Sequence, residues 1–514
     1  MPSYINLPLE LQRMILEDIA QSPSLAPYAC VNKQWQAYFE AKTFRNLVLH
    51  QDDLEPFSIV FRGIRRGYLK HLWLRIQLPE YPLPKYKEVE DSKVLWEADR
   101  TFTTSVFDLW DELAEWDARG RGENEGLTLE LTAHSPSDRG DCPDDPFEKE
   151  AWQYKEYLAT GSVTPYESEK DVYAPFAEVK ANLTKAIVDP AARAQRWERA
   201  VNDLFGWKSL AFNYHEEEDM TYVNDDDTPE LPEVTVVTNF LVRRQQFREI
   251  HPDSLGKMIS SLPCLDKVNI ERWRCADAKD EKHWCEDAKV TFGMDLPRDV
   301  KTLSLYGDTN SIFHDWNPKD ANTIALAKSL KLYSKDLENL SVSFLIDAKD
   351  FLKPFWPAHS DHTTKTLPDW ENLKTLSLTS AILASSSAEH INKLLCAAAR
   401  AVKKMPNLHL LELWSGAEGQ ACVFRYRVVD TVTEITWMGT HIFGMDPEVV
   451  RAWNEVSLLH GRSDFRTSWF TLDPDKIIAA GTVLRLLDLR EQILHPVSGY
   501  GTAWGQSKTA TTNI

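Results

Sequence analysis

The chain has 514 residues, 78 Asp and Glu against 58 Lys and Arg, and a net charge of −20. At roughly 100–200 residues per domain this length excludes one small module, and the acidic balance argues against a general phosphate-backbone binder, which needs a concentrated basic surface. Hydrophobic residues at 43% and aromatics at 11% exclude a wholly disordered acidic chain. The charge is local: residues 80–233 hold 37 acids and 16 bases, a net of −21, and the remainder sums to +1.

In chain order, Pro8 and Glu10 suit a helix start, and Leu11, Ile15 and Ile19 recur every fourth residue, which predicts a helix over 8–20 ended by Ser22-Pro23-Ser24. Tyr28, Val31, Trp35 and Tyr38 form one face of a second helical pattern. At Phe44 to Leu49 the period changes from 3.6 to 2.

A strand template then recurs: apolar, two residues, apolar, one residue, apolar. It occurs at Leu69–Leu74, Trp207–Phe212, Leu265–Ile270, Val300–Leu305, Leu337–Val342, Leu373–Leu378 and Leu408–Leu413, with looser copies at Phe44, Val432 and Leu484. From Leu265 to Leu408 the copies start 35, 37, 36 and 35 residues apart, which is the mark of stacked units. Helix-like stretches precede several copies, at 253–261, 320–331 and 390–404. About 35 residues accommodates a strand, a return helix and a parallel crossover. The expected fold is α/β: a helical N-terminal unit, then a curved α/β solenoid over 46–133 and 193–498. Residues 134–192, turn-rich and acidic, read as an insertion loop, and 499–514 as a flexible tail.

Side chains alternate along a strand. The fourth and sixth template residues therefore face the core, and the fifth residues, Asn269, Ser304, Ser341, Ser377 and Glu412, line up on an open face. That row is the candidate substrate-binding surface, since solenoids bind long ligands on a concave face.

Enzyme signatures such as G-x-S-x-G, the phosphate loop and H-E-x-x-H do not occur, and an enzyme on the repeat scaffold is the remote alternative. Cys275, His283 and Cys285 lack the paired spacing of a structural zinc site, and Asn224–Asp227 opens like a calcium loop without completing one. No metal or cofactor is expected. Seven scattered cysteines, no basic-then-apolar leader and no run of ~18 apolar residues point to a cytoplasmic or nuclear protein that is neither secreted nor membrane-spanning.

Leu7-Pro8, Glu10, Ile15-Leu16, Ile19, Val31-Asn32-Lys33, Trp35 and the Phe44-x-x-Leu47 step resemble an F-box over residues 1–45. The sequence departs from that pattern at Asn32, where Cys is commoner. The rest resembles filamentous-fungal F-box proteins with an irregular leucine-rich-repeat-like C-terminal region, most closely from Leu241 to Trp273. The resemblance implies a three-helix F-box that docks on a Skp-type adaptor and through it on cullin and RING subunits of a ubiquitin ligase. Leu7, Pro8, Leu11, Ile15, Val31 and Trp35 are the implied adaptor contacts. The implied role is a non-catalytic substrate-recognition subunit; the alternative is an F-box-bearing scaffold without a degradation role.

Overall fold

A computed structural model of the full chain describes residues 4, 7–22, 24–80, 92–116, 126–139, 154–161, 180–183, 185, 187–206, 208–213, 230–244, 247–294, 296–309, 313–314, 316, 323–356, 369–384, 387–462, 464–477 and 479–498. Asn224–Asp227 and the tail 499–514 lie outside the described residues, as does much of 134–192.

Three helices open the chain: α1 (Leu9–Ile19), α2 (Ala26–Ala29) and α3 (Lys33–Thr43). The apolar stripe expected to continue from Tyr28 through Tyr38 is split in two. Asn32 is the cause: its backbone is extended and its side chain accepts the Trp35 amide at 2.9 Å, so it starts α3 as an N-cap. Leu16 and Phe39 are the buried apolar residues of the unit, and Trp35 packs edge-on against both Tyr4 and Phe39. The first strand, β1 (Asn46–His50), leads into two short helices, α4 (Leu54–Val60) and α5 (Ile64–Tyr68). Arg65 on α5 pairs with Glu40 on α3 at 2.6 Å, which ties the N-terminal unit to the start of the sheet.

Twelve strands form one open sheet in chain order: β1, β2 (His71–Gln77), β3 (Leu127–His134), β4 (Val237–Val242), β5 (Lys267–Trp273), β6 (Thr302–Asp308), β7 (Asn339–Ser343), β8 (Thr375–Thr379), β9 (Leu410–Ala417), β10 (Gln420–Val429), β11 (Val432–Gly439) and β12 (Asp464–Thr471). Pairing is parallel from β1 to β9, antiparallel through β9, β10 and β11, and parallel again to β12. Two template matches form no strand among the described residues: of the copy at Trp207–Phe212, residues 208–212 contribute only a bridge from Leu210 to Ile250, and Leu484 ends a helix. β3 falls outside the template, and β4 fits it at Val237, Phe240 and Val242 but lies outside the fixed spacing.

The connections are the helices α6 (Ser92–Ala114), α7 (Pro190–Phe205), α8 (Pro252–Ser260), α9 (Ala278–Thr291), α10 (Ile324–Tyr333), α11 (Ala388–Val402) and α12 (Pro447–Leu459). Neighbouring pairs α8–α9, α9–α10 and α11–α12 pack side by side. The main core lies between these helices and one face of the sheet. It is filled by the fourth and sixth template residues (Val268 and Ile270, Leu303 and Leu305, and their equivalents) and by the first ones, Leu265, Val300, Leu337, Leu373 and Leu408, from the entry turns. At those turns Asp266, Lys301, Glu338 and Lys374 succeed one another across the units, with ion pairs Lys301–Asp266 at 2.6 Å and Lys374–Glu338 at 2.7 Å. Exposed pairs of this kind add little stability, but the alternating signs favour one register over its neighbours.

The chain ends its described course by crossing the other face of the sheet. After β12 come α13 (Ala480–Leu484) and α14 (Arg490–Ile493), and the strap 480–498 that contains them runs back over β10 and β9 toward β2.

Candidate functional site

The row expected on the open face exists as a register: Asn269 pairs with Ser304, Ser304 with Ser341, Ser341 with Ser377, and Ser377 with Glu412. It extends at both ends, through Leu241, Glu130 and Trp73 on one side and Arg425 on the other. The expectation that this row is open is corrected: none of the five residues is more than 7% exposed. The strap covers them.

The cover is bonded to three of the five row residues, Ser304, Ser341 and Glu412. Ser304 Oγ donates to the Ile493 carbonyl at 3.1 Å, Gln492 Nε2 donates to Ser341 Oγ at 2.7 Å, and Thr375 Oγ1 donates to Gln492 Oε1 at 2.7 Å. Glu412 accepts the amides of Asp488 and Leu489, both at 3.0 Å, and Arg425 Nε at 2.7 Å. On β5, Glu271 accepts the amides of Arg244 and His495. Polar side chains taken out of water must be hydrogen-bonded, and here the strap's backbone supplies many of the partners.

Apolar contacts hold the strap as firmly. Val483, Leu484, Leu487, Leu489, Ile493 and Leu494 are buried with Tyr306, Leu410, Trp414 and Val423 in a second core on this face. At about 1.5–3 kcal/mol per fully buried aliphatic side chain, six such residues contribute on the order of 10 kcal/mol before the entropy of ordering is charged. The strap is part of the fold. It passes close to Gly416 on β9, where an added Cβ would stand 2.6 Å from Val483 Cγ2 and 3.1 Å from Ala480 Cα. Gly416→Val is therefore expected to cost about 1–3 kcal/mol by overpacking. It should also open the chain near 480 to limited proteolysis. Unchanged melting and unchanged cleavage would remove Gly416 from this role.

At the β2–β4 end the face carries an ionic cluster that the repeat template does not reach. Glu130, wholly buried, accepts from Arg243 Nε at 2.5 Å and Tyr154 Oη at 2.5 Å, and lies 2.9 Å from His71 Nε2. Burial alone would raise its pKa, but Arg243 and His71 hold it down to about 2. The Tyr154 phenol is pushed up by burial and by the Glu130 charge. His495 of the strap sits edge-on to Tyr154 and Tyr157. Burial, reinforced by Arg243, pushes its pKa down to about 3. Acid–base work at neutral pH needs groups that titrate near that pH; Glu130 and His495 instead keep fixed charge states there. The cluster's arrangement ties the short helix at 154–160 and the strap to β2, β3 and β4.

On the helix side of the sheet, Arg272 lies between Glu249 at 2.5 Å and Glu281 at 2.8 Å, and Arg274 also pairs with Glu281 at 2.8 Å. Burial would raise the Glu281 pKa, yet Arg272 and Arg274 lower it to about 2. Cys275 and Cys285 are buried at this cluster while His283 is exposed, so the three do not converge. Among the described residues no group of His, Cys, Asp and Glu is arranged to hold a metal ion. No described helix is long and apolar enough to cross a membrane.

The N-terminal residues form a different kind of surface. Leu11 is 45% and Val31 57% exposed, Ile15, Leu9 and Met14 are also exposed, Pro8 is exposed, and Leu7 and Trp35 are half-buried. Five large apolar side chains on a unit of three short helices are left in water.

Residues 295–495 match a family of unknown function, DUF6546. The match runs from just before β6 into the strap, so it takes in four of the five row residues, Ser304 to Glu412, and most of the segment that covers them. No curated protein matches the chain.

Proposed function

We propose that the chain is the substrate-recognition subunit of an SCF-type (Skp-cullin-F-box) ubiquitin ligase. Its N-terminal unit is an F-box docked on a Skp-type adaptor. The strands and helices form a leucine-rich-repeat-like solenoid that receives a protein substrate, in the cytoplasm or nucleus, and ubiquitin transfer is supplied by other subunits. The observation that carries this reading is the exposed apolar surface of Leu9, Leu11, Met14, Ile15 and Val31, which marks a partner site on a unit too small to bury it. The five-residue row is occupied by the strap, so the substrate is assigned to the rim of the solenoid. The chain acts by raising the substrate's effective concentration at the ligase.

The test is co-purification of the full chain with a Skp-type adaptor and cullin. Leu11→Asp with Val31→Asp is expected to weaken adaptor binding at least tenfold while far-ultraviolet dichroism stays unchanged, because both side chains are exposed. Failure of the unaltered chain to retain adaptor, or retention by the double variant, would refute the docking surface.

A further inference from the structure

The two ends of the sheet are finished differently. β1 is five residues long, and its Asn46 donates Nδ2 to the Leu158 carbonyl at 2.6 Å. β12 is eight residues long, Asp-Phe-Arg-Thr-Ser-Trp-Phe-Thr, and among the described residues it pairs with β11 alone. Proteins blunt an open edge with short strands, Pro, Lys or a bulge. β12 has no Pro or Lys, its two charged residues Asp464 and Arg466 pair with each other at 3.0 Å, and its pairing with β11 runs without a register shift. Trp469 and Phe470 are 49% and 58% exposed on it.

We propose that β12 is a self-pairing surface that joins two copies of this chain, antiparallel about a two-fold axis at Thr467. A two-fold axis perpendicular to a sheet keeps each side chain on its own face, so Thr467 can face itself, and every other pair is then fixed. Phe465 of each copy faces Trp469 of the other, Arg466 faces Ser468 and Asp464 faces Phe470. Aromatic pairs and a Thr–Thr pair are favoured cross-strand neighbours. Thr467 and Ser468 are the two centres that keep the longest run of the eight-residue strand paired, and Ser468 would set Phe465 opposite Thr471 and Arg466 opposite Phe470, without an aromatic pair. Thr467 is therefore the axis.

Charge agrees with this register. Ser468 Oγ donates to Glu434 Oε1 at 3.1 Å, so Arg466 of a second copy, facing Ser468, arrives beside an acid one strand further in. Residues 234–514 carry 34 acids and 33 bases, so the part of the chain that presents β12 is nearly neutral and adds no strong like-charge repulsion between two copies. The inference is independent of the adaptor reading.

The test uses the full chain at tens of micromolar. Light scattering is expected to give twice the single-chain mass of 59.0 kDa. Thr467→Lys, which sets like charges face to face, is expected to return it to the single-chain mass with unchanged dichroism. In a background with Cys30, Cys142 and Cys264 replaced by Ser, Thr467→Cys is expected to cross-link to a dimer on mild oxidation at least tenfold more than Arg466→Cys or Ser468→Cys. This second arm stands even where the Lys variant fails to fold. A single-chain mass for the unaltered protein, a dimer that survives Thr467→Lys, or cross-linking without preference for position 467 would each overturn the proposal.

Discussion

Glu412→Ala is expected to lower the free energy of unfolding by about 3–5 kcal/mol, the usual loss when one partner of a buried ion pair is removed. Glu412 has no exposed surface. Its carboxylate accepts from Arg425 and from the Asp488 and Leu489 amides. Burial pushes its pKa up, and Arg425 with the two amides opposes that shift. Without the carboxylate, Arg425 keeps the Leu486 carbonyl and Asp488, but two strap amides lose their acceptor beneath a closed surface. Each such loss costs about 1–3 kcal/mol. Glu412→Gln keeps an acceptor oxygen and is expected to cost less than half as much. Urea denaturation gives the magnitude. Hydrogen exchange gives the location, with protection lost first between 486 and 494. A Glu412→Ala protein as stable as the unaltered chain would mean that this carboxylate does not anchor the strap.

The same residue marks what a sequence can and cannot reveal. Its place in the row was legible because the spacing of 35 to 37 residues and the alternation of side chains are local properties, and the register from Asn269 to Glu412 follows from them. Its burial was not legible. Ser304, Ser341 and Ser377 have the composition of a solvated face, and the cover of Ser304 and Ser341 comes from residues more than a hundred positions away, Ile493 and Gln492. β3 was missed for another reason: Leu127-Thr-Leu-Glu-Leu-Thr alternates strictly and is a strand pattern, but it lies outside the fixed period on which the repeats were recognised. With β3 went Glu130, and with it the cluster of His71, Tyr154 and Arg243. The one signal available was a carboxylate among the threonines at the polar parity of the strand, Thr128, Glu130 and Thr132. Leu484 failed in the opposite direction, since a short apolar run does not distinguish a strand from the helix that forms there. At the N-terminus, the departure at Asn32 has a physical role, because Asn is a strong helix N-cap and the split into α2 and α3 depends on it.

Acid is expected to loosen the strap before it denatures the rest, and His495 sets where this begins. The imidazole lies beneath the strap, with Tyr154 and Tyr157 against it and Arg243, Glu130, His71 and Lys267 as the charged or titratable groups facing it from β4, β3, β2 and β5. Burial first, then Arg243, lowers its pKa from 6.5 to about 3. In that window the unfolded chain binds a proton that the folded chain does not, so stability is full above about pH 6.5 and falls as pH falls toward 3. One pKa unit corresponds to about 1.4 kcal/mol, so the loss from this group is about 2 kcal/mol at pH 5. Glu130 acts in the same direction but later: with a folded pKa of about 2 against an ordinary 4.5, its contribution is present above about 4.5 and is lost below it. The expected profile therefore has two stages, the first due to histidine. His495→Phe keeps an aromatic ring between the tyrosines and cannot take up a proton. Urea denaturation of both proteins at pH 7, 6 and 5 separates this residue from other partly buried histidines, His50, His409 and His460, whose pKa values are also lowered by burial. The variant is expected to lose about 2 kcal/mol less than the unaltered chain between pH 7 and 5. Parallel profiles would place the acid-sensitive step elsewhere in the fold.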